Sequence, residues 1–510
     1  MNNQQANKTN RQMNNQQANK TNRQMNNQQA KYKFKTEPYK HQRQALEKCW
    51  NRKEYGLLME MGTGKSKVLI DNIGVLHEKE RINSALIIAP KSMYKTWERQ
   101  EIPNHLPNRI YDKTRMVIWQ PNITQKYQAK LDTLFESTSN LKIFIMNVEA
   151  LSTNKGFDYA NQFILNNKVL LAVDESTTIK NHRAKRTKNI LKLRNIAMFR
   201  RILTGTPVTK SPLDLYTQFY FLNPQILNFS SYYTYSARHS ITIRRTMGGH
   251  SFNLVTGYQN LKELTGKIMP YSYRVLKEDC LDLPDKVYVK RYIELTGEQR
   301  RLYESIKRTA LAELHGKIVS VTNILASMTK LQQVLCGHLI TNSGETEEVI
   351  NKRIEELLNI LDECTGKVII WTTFRKSISQ IEKAIIDKYK NAKVCATYFG
   401  DTPTDERQNI IERFQDPKDD LRFFIGNQQT GGYGITLTEA KTVIYFNNSF
   451  DLELRVQSED RAHRIGQTNK VTYIDLCAEK TIDEKILKAL RKKINIASEV
   501  MGEKAKEWLI

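Results

Sequence analysis

One short segment of the sequence combines residue types that can hold phosphate groups. In residues 59–66, Gly62 and Gly64 allow a tight turn, and Lys65 and Ser66 follow the second glycine directly. Such glycines let backbone N–H groups point at phosphate oxygens, while the lysine adds positive charge and the hydroxyl can bind Mg²⁺. The alternative is an ordinary glycine turn before a helix. We predict a nucleotide-phosphate loop formed by Gly62, Thr63, Gly64, Lys65 and Ser66.

A second segment places two carboxylates after the strongly apolar run 169–173. Such a run is typical of a strand that is buried on both faces. Asp174 can bind Mg²⁺, directly or through water, and Glu175 can orient an attacking water or accept its proton. The alternative is a solvated strand end. We predict that Asp174 and Glu175 face the same site as Lys65.

Two arginines near the C-terminus are candidates for stabilising charge on a transferred phosphoryl group. Arg461 and Arg464 are three residues apart, hence on one face if the segment is helical. An arginine supplied across a cleft stabilises such charge. Gln457, one turn earlier, is a candidate for positioning the terminal phosphate. The alternative is that both arginines pair with local acids such as Glu459.

The elements around these residues predict an α/β protein with two parallel-sheet lobes. Strands are expected near residues 57, 86, 116, 144, 171 and 202, with helices between them. A second alternation begins with a strand at 368–370. We therefore expect lobe 1 at 35–224, helical insertions and a linker at 225–365, lobe 2 at 366–490 and a C-terminal helix at 491–510.

Taken together, these segments resemble helicase superfamily two and, within it, the Swi/Snf-type ATPases. Further segments that resemble this family are 85–102, 143–151, 203–207, 274–284, 293–304, 366–374, 430–446, 460–467 and 471–487, and the most specific is DRAHRIGQ at 460–467. The sequence departs from the family at Met59, Thr63 and Ser66, at Ser176–Thr177, at Thr430, Ile435 and Thr436, and at 450–452. We interpret these departures as those of a compact phage or bacterial branch.

The resemblance implies RecA-like lobes of the P-loop NTPase type, with ATP and Mg²⁺ as cofactors. It assigns Mg²⁺ to Ser66 and Asp174 and the adenine base to Gln42, although Gln42 could instead simply cap its helix. Coupling of hydrolysis to the nucleic-acid face falls to Thr204, Gly205 and Thr206, for which the alternative is an ordinary turn. Contacts to nucleic acid fall to Lys91, Ser92, Asn147, Thr372, Thr373 and Thr430.

The function implied is an ATP-dependent DNA translocase or helicase with little sequence preference, acting on duplex or branched DNA. Two alternatives stay open: an RNA helicase of the same superfamily, and a nucleic-acid-binding scaffold with an inactive ATPase. The net charge of +25 suits a polyanionic partner in either case.

The remaining composition indicates a cytoplasmic protein without a membrane span. The six cysteines are scattered, without a C-x-x-C pair, which suits reduced thiols and not a zinc site. No run of 18 apolar residues is present. Residues 1–34 contain a repeat of MNNQQANKTNRQ and have no apolar period to bury, so we expect a disordered tail.

Overall fold

The structure, a computed structural model, describes residues 32–91, 93–247, 250–315, 321–341, 343–431 and 435–503. Two predicted features lie outside these residues, Ser92 and nearly all of the N-terminal repeat tail. The strands, in chain order, are β1 (Glu54–Met59), β2 (Ser84–Ala89), β3 (Arg115–Ile118), β4 (Lys142–Asn147), β5 (Val169–Asp174), β6 (Phe199–Leu203), β7 (Ser240–Met247), β8 (His250–Tyr258), β9 (Ser272–Val275), β10 (Lys286–Ile293), β11 (His338–Ile340), β12 (Thr346–Glu348), β13 (Lys367–Thr372), β14 (Cys395–Tyr398), β15 (Phe423–Asn427), β16 (Ala440–Tyr445) and β17 (Val471–Ala478).

The helices of eight or more residues pack on the sheets and between them. They are α1 (Lys40–Cys49), α2 (Lys65–Glu78), α3 (Gln125–Asp132), α4 (Asn154–Leu165), α5 (Lys185–Leu193), α6 (Leu215–Leu222), α7 (Tyr232–His239), α8 (Leu261–Ile268), α9 (Gly297–His315), α10 (Val321–Leu335), α11 (Arg353–Glu363), α12 (Arg375–Tyr389), α13 (Thr404–Gln415), α14 (Leu452–Glu459) and α15 (Ile482–Met501). Shorter helical turns include the π-turn Trp97–Glu101 and the 3₁₀ turns Val148–Ser152 and Ser176–Ile179. Within the described ranges, none of these helices combines the length and the apolar run that a membrane span needs.

Two parallel sheets form the two lobes, which confirms the predicted fold class. The lobe 1 sheet has the order β3-β4-β2-β5-β6-β1-β9, and the lobe 2 sheet has the order β10-β17-β16-β13-β15-β14. All neighbouring strands in both sheets run parallel. The central strands β2 and β5 are buried along their whole length, because helices cover both faces of the sheet.

The segment between the lobes is not purely helical, in contrast to the prediction of helical insertions at 225–365. It contributes β9 to the edge of the lobe 1 sheet beside β1, and β10 to the edge of the lobe 2 sheet beside β17. It also contains the antiparallel hairpin of β7 and β8. These strands carry polar and charged residues because they form edges or a free ribbon, so the apolar runs of central strands are missing. The chain therefore contributes to lobe 1 at 272–275 and to lobe 2 from 286 onward.

The C-terminal helix also differs from its prediction, because α15 begins at Ile482 and ends at Met501. Thr481 caps its first turn by accepting a hydrogen bond from the backbone N–H of Asp483. Ile486 packs with the helices of lobe 2, whereas Val500 belongs to the core of lobe 1. One continuous helix therefore connects the cores of both lobes.

A buried arginine connects the elements that carry the predicted phosphate loop. Arg201, on β6, is fully buried and donates to the carbonyl oxygens of Cys49 (2.7 Å) and Arg52 (2.8 Å). Its guanidinium also donates to the carbonyl of Lys53 (3.2 Å) and to Asn72 Oδ1 on α2 (3.0 Å). The end of α1, the start of β1 and α2 are thus held by one side chain.

We expect Arg201→Met to destabilise lobe 1 by about 3 kcal/mol or more, because several buried acceptors would lose their donor at once. Thermal unfolding by differential scanning calorimetry measures the change. Arg308→Met, which removes an exposed arginine from α9, is the matched control. An Arg201 variant as stable as the control would contradict this role.

Candidate nucleotide site

The predicted phosphate loop lies between the end of β1 and the start of α2, at the carboxyl edge of the lobe 1 sheet. Gly62 and Gly64 have φ values of 81° and 86°, in the left-handed region that glycine tolerates without strain. A Cβ atom on Gly64 would overlap the Gln42 side chain. The Thr63 carbonyl accepts a hydrogen bond from Gln42 Nε2 (3.1 Å) and contacts the His41 ring nitrogen Nε2 (2.8 Å). The loop is therefore held in its curved shape by α1, as a phosphate cradle requires.

Gln42 caps its helix, which was the alternative to its predicted contact with adenine. Its side-chain oxygen accepts a hydrogen bond from the backbone N–H of Tyr39 (3.0 Å), and its amide nitrogen reaches the phosphate loop. The side chain is buried, with 4% exposed. A contact with adenine stays a prediction.

The two predicted carboxylates stand at the end of β5 and face Lys65. Asp174 accepts hydrogen bonds from the indole N–H of Trp97 (2.9 Å) and from the backbone N–H of Glu175 (3.0 Å). Burial raises the pKa of Asp174, while the Lys65 charge acts in the opposite direction. Burial also raises the pKa of Glu175, to about 7, with the neighbouring Asp174 and Glu453 charges adding to the rise. Glu175 has a φ of 45°, so its backbone adopts a left-handed conformation that is costly for any residue other than glycine.

A third carboxylate joins this site, and the sequence analysis did not identify it. Glu101 ends the π-turn Trp97–Glu101, whose first residue is the partner of Asp174. Burial raises the pKa of Glu101, as does the Asp174 charge. The nearby Ser66 hydroxyl favours the charged form of this carboxyl and so lowers its pKa, as do the charges of Arg464 and Lys65. No motif signals this residue, because a π-turn shifts the side chains out of ordinary helical spacing.

Ser66 and Asp174 suit a Mg²⁺ ion that is shared with phosphate oxygens. Within the described ranges no group of three or more histidine, cysteine, aspartate or glutamate residues could hold a metal alone. Mg²⁺ in nucleotide sites takes one or two protein ligands and completes its shell with phosphate and water. The donors present therefore fit this ion only together with a nucleotide.

The predicted coupling turn touches both the phosphate loop and the carboxylates. The Thr204 hydroxyl donates to Glu175 (3.3 Å) and accepts from the backbone N–H of Thr206 (3.1 Å). A Cβ on Gly205 would lie 3.0 Å from the backbone nitrogen of Met61, so only glycine lets the turn approach the loop this closely. The Gly205 carbonyl accepts from Arg274 (2.8 Å), which precedes the linker to lobe 2. This turn thus contacts a catalytic candidate on one side and the inter-lobe linker on the other.

The segment of lobe 2 that carries the two arginines packs against the phosphate loop of lobe 1, and the Arg464 guanidinium donates to Thr436 (2.9 Å) within lobe 2. Helix α14 ends at Glu459, so Arg461 and Arg464 lie in the turns that follow it. Arg461 donates to the Ile435 carbonyl (3.0 Å) and approaches the Met61 sulfur (3.9 Å). The Arg464 Cβ lies 3.6 Å from the position that a Cβ on Gly62 would take. Burial lowers the pKa of Arg461 to about 10, with the Arg464 charge adding to the effect.

A contact across the lobes involves Thr177, one of the departures from the family pattern. The Thr177 hydroxyl donates to Glu453 (2.7 Å) on α14, and Lys180 donates to the same carboxylate (3.2 Å). Gln457 Nε2 donates weakly to Glu453 (3.5 Å). The Gln457 side-chain oxygen is buried without a hydrogen-bond partner among the residues the structure describes. Gln457 therefore lies at the seam between the lobes, next to Glu453.

The segment that holds the arginines is itself fixed by two lysines of the linker region. Lys277 Nζ donates to Asp460 and to the His463 carbonyl, both at 2.7 Å. Lys286 donates to Glu459 (3.1 Å), which also accepts from Tyr288 (2.7 Å). The chain around Arg461 is therefore held by two ion pairs before it and by a lysine–carbonyl hydrogen bond after it.

The predicted nucleic-acid residues lie at the carboxyl ends of strands in both lobes. Lys91 follows β2, Asn147 ends β4 and Thr430 follows β15. Thr372 is fully buried and donates to Asn447 (2.8 Å), so its side chain does not reach the surface. Thr373 is partly exposed beside it, and its backbone N–H donates to the same Asn447 oxygen (3.0 Å). Direct contacts by Lys91, Asn147, Thr373 and Thr430 stay predictions.

Comparison with known proteins gives matches in both lobes. Residues 41–339 match the SNF2-related domain, and residues 351–466 match the helicase conserved C-terminal domain. An uncharacterized ATP-dependent helicase of Mycoplasma genitalium is 26% identical over 451 residues, which cover 87% of this chain and 40% of that protein. The SWI/SNF chromatin-remodeling complex subunit snf22 of Schizosaccharomyces pombe is 28% identical over 496 residues, which cover 90% of this chain and 28% of that protein. The chain thus spans less than half the length of either relative.

A solved structure of the Sulfolobus solfataricus SWI2/SNF2 ATPase core in complex with dsDNA covers 90% of this chain and 91% of that chain, with 23% identity and a TM-score of 0.41. The match to the SNF2-related domain identifies the family, because this domain alone covers more than half of the 510 residues. With its phosphate loop, its paired carboxylates and its two lobe 2 arginines, this chain belongs to the SNF2-related family.

Proposed function

We propose that this protein is an ATP-dependent DNA translocase or helicase that hydrolyses ATP in the cleft between its lobes. The observation that carries this proposal is the meeting of Arg461 and Arg464 from lobe 2 with the phosphate loop of lobe 1. Such an arrangement makes hydrolysis depend on lobe closure, which is what couples a nucleotide cycle to movement.

The residues divide the chemical work between the lobes. Lys65 and the backbone N–H groups of the loop bind the β- and γ-phosphates, and Glu175 orients the attacking water. Ser66 and Asp174 would hold Mg²⁺, which when bound would supply positive charge to the phosphate oxygens. Arg461 and Arg464 stabilise the charge that develops on the transferred phosphoryl group. Hydrolysis then weakens the contacts that hold the cleft closed.

The nucleic-acid partner follows from charge and from the position of the predicted contacts. The +25 net charge attracts a polyanion, and the carboxyl ends of strands in both lobes present hydroxyl, amide and lysine groups. We expect phosphates, and not base edges, to be contacted by Lys91 and Asn147 on lobe 1 and by Thr373 and Thr430 on lobe 2. Closure of the cleft would move these two sets of contacts relative to each other, with little preference for sequence.

The central test is ATP turnover with single-stranded DNA, duplex DNA, forked DNA and RNA. We expect duplex or forked DNA to raise the turnover number well above that of the protein alone. Binding should weaken steeply with salt, because each neutralised phosphate releases a counterion, and the slope should be similar for unrelated sequences. Stimulation by RNA alone would replace the proposal with an RNA helicase. No turnover under any condition would favour a scaffold with an inactive ATPase.

We expect Glu175→Gln and Lys65→Ala to abolish turnover through different steps. The glutamine variant loses the carboxylate that orients water and should keep ATP binding, whereas the alanine variant loses the phosphate-binding charge. Measuring both ATP affinity and turnover separates the two effects. Full turnover by the Glu175 variant would show that another group activates the water.

We expect Trp97→Phe to lower turnover by about tenfold, because the indole N–H that orients Asp174 is lost while the ring volume is largely kept. The Mg²⁺ concentration for half-maximal turnover should rise, which a merely structural role would not produce. The control is Tyr127→Phe, which removes the two hydrogen bonds that the Tyr127 hydroxyl makes with the backbone of Ile118 and Gln120 in lobe 1. An unchanged Mg²⁺ requirement would exclude a positioning role for Trp97.

A further inference from the structure

A cationic and aromatic surface lies on lobe 1 beside the predicted nucleic-acid contact at Asn147. It consists of His182, Arg183, Lys185, Lys188 and Tyr233, and we call it the lobe 1 basic surface. Arg183, Lys185 and Lys188 are exposed, and the Tyr233 side chain is 64% exposed. None of these residues belongs to the nucleotide site or to the predicted strand-end contacts.

The sequence around this surface is strongly basic. Residues 179–201 contain no aspartate or glutamate, and they include nine lysines and arginines. Among the residues the structure describes, Arg183, Lys185 and Lys188 have no salt bridge, whereas Lys180 and Arg200 do. A surface of this kind keeps its charge available for an anionic partner.

The fold holds this surface in a fixed geometry. The His182 ring stacks on Tyr232 with 3.8 Å between centroids and an interplanar angle of 18°, and Arg183 donates to the Tyr233 hydroxyl (3.1 Å). Burial lowers the pKa of His182, and the nearby charges of Arg183 and Lys188 add to this effect. The loop before α5 is thus anchored on α7, so that less side-chain freedom is lost when a ligand binds.

The same surface is continuous with the segment that follows β4. Lys185 donates to Asn154 Oδ1 (3.0 Å), and Asn189 donates to the carbonyl of Leu151 (2.8 Å). Both partners lie a few residues after Asn147. Direct hydrogen bonds therefore join the lobe 1 basic surface to the segment that follows Asn147.

Stability of the helix does not explain these cations. Lys185 and Arg186 occupy the first turn of α5, no acidic residue is present there, and the cap residue Ala184 makes no side-chain cap hydrogen bond. Cations at the N-terminus of a helix oppose its dipole and cost a few tenths of a kcal/mol or more each. The hydrogen bonds of Lys185 to Asn154 and of Arg186 to the Thr178 carbonyl go to neutral acceptors. Among the described residues, no acidic partner therefore accounts for the two charges, which favours a binding role.

We propose that the lobe 1 basic surface binds the sugar-phosphate backbone of duplex DNA and extends the contact made at Asn147. This inference rests on the proposed function. Lys185, Lys188 and Arg183 would pair with successive phosphates, and the exposed Tyr233 would donate its hydroxyl to a phosphate or cover a sugar. The contact would be independent of sequence, because none of these groups needs a base edge.

The test is a triple variant, Arg183→Gln, Lys185→Gln and Lys188→Gln, in the full chain. Glutamine keeps the helix propensity of α5 while removing three charges. The control removes three exposed lysines from lobe 2 by Lys383→Gln, Lys393→Gln and Lys441→Gln. Both proteins carry the same net charge, so a general electrostatic effect would be equal in the two.

We expect the triple variant to bind a duplex of random sequence at least tenfold more weakly than the control at about 100 mM salt. Its slope of log affinity against log salt should be smaller by up to about 2.7, since each lost phosphate contact lowers the slope by about 0.9. Circular dichroism and thermal unfolding would verify that both variants fold.

The outcomes separate this inference from the proposed function. If the unaltered protein binds duplex DNA and the triple variant matches the control in affinity and slope, the lobe 1 basic surface is not a DNA contact. If the triple variant loses affinity for RNA but not for duplex DNA, the assigned partner is wrong. If the unaltered protein binds no duplex DNA, the proposed function fails together with the inference.

Discussion

Charged groups that are buried at the seam between the lobes constrain the rest of this structure. Asp174 and Glu175 on lobe 1, and Arg461 on lobe 2, are all largely removed from water. A buried charge without a partner costs several kcal/mol, so carboxylates and cations can stay charged there only when the lobes present them to one another. A nucleotide with its metal would add both signs of charge to the same place. In the proposed function, opening and closing of the cleft would thereby depend on what occupies it.

This constraint is consistent with the many contacts made by α14 and the segment that follows it. Lys277 and Lys286 bind two of their acids, and Glu453 receives Thr177 across the seam. Each pair fixes the backbone that carries the arginines, since a guanidinium must stand within a fraction of an ångström of its place to stabilise a transition state. The helix α15, which enters the cores of both lobes, limits how far that segment can separate from the phosphate loop.

The sequence predicts the parts of the fold whose signal is local. All six strands expected in lobe 1 are present, because each is an apolar run between turn residues, as in β2 and β5. The edge strands β9 and β10 could not be predicted, since half-exposed strands carry mixed residues and their pairing partners lie far away in sequence. The candidate phosphate loop and carboxylates have such a local signal and could be identified from the sequence. Trp97, Glu101, Glu453 and Lys277 have none and could not. Their roles arise from contacts between distant elements, for which a single sequence has no pattern.

The departure at Ser176–Thr177 shows how such contacts can replace a motif. The resemblance places Ala-His after the two acids, and this chain has two hydroxyl residues there instead. The Ser176 hydroxyl donates to Gln218 (2.7 Å) on α6, and Thr177 donates to Glu453 on lobe 2. The Thr177 side chain is short, so the contact across the seam depends on the longer side chain of Glu453 on α14. The same carboxylate also accepts a hydrogen bond from Lys180. The contact between the lobes at this point therefore needs both Thr177 and Glu453. Substitution of Glu453 should therefore affect lobe closure even though this residue belongs to no motif.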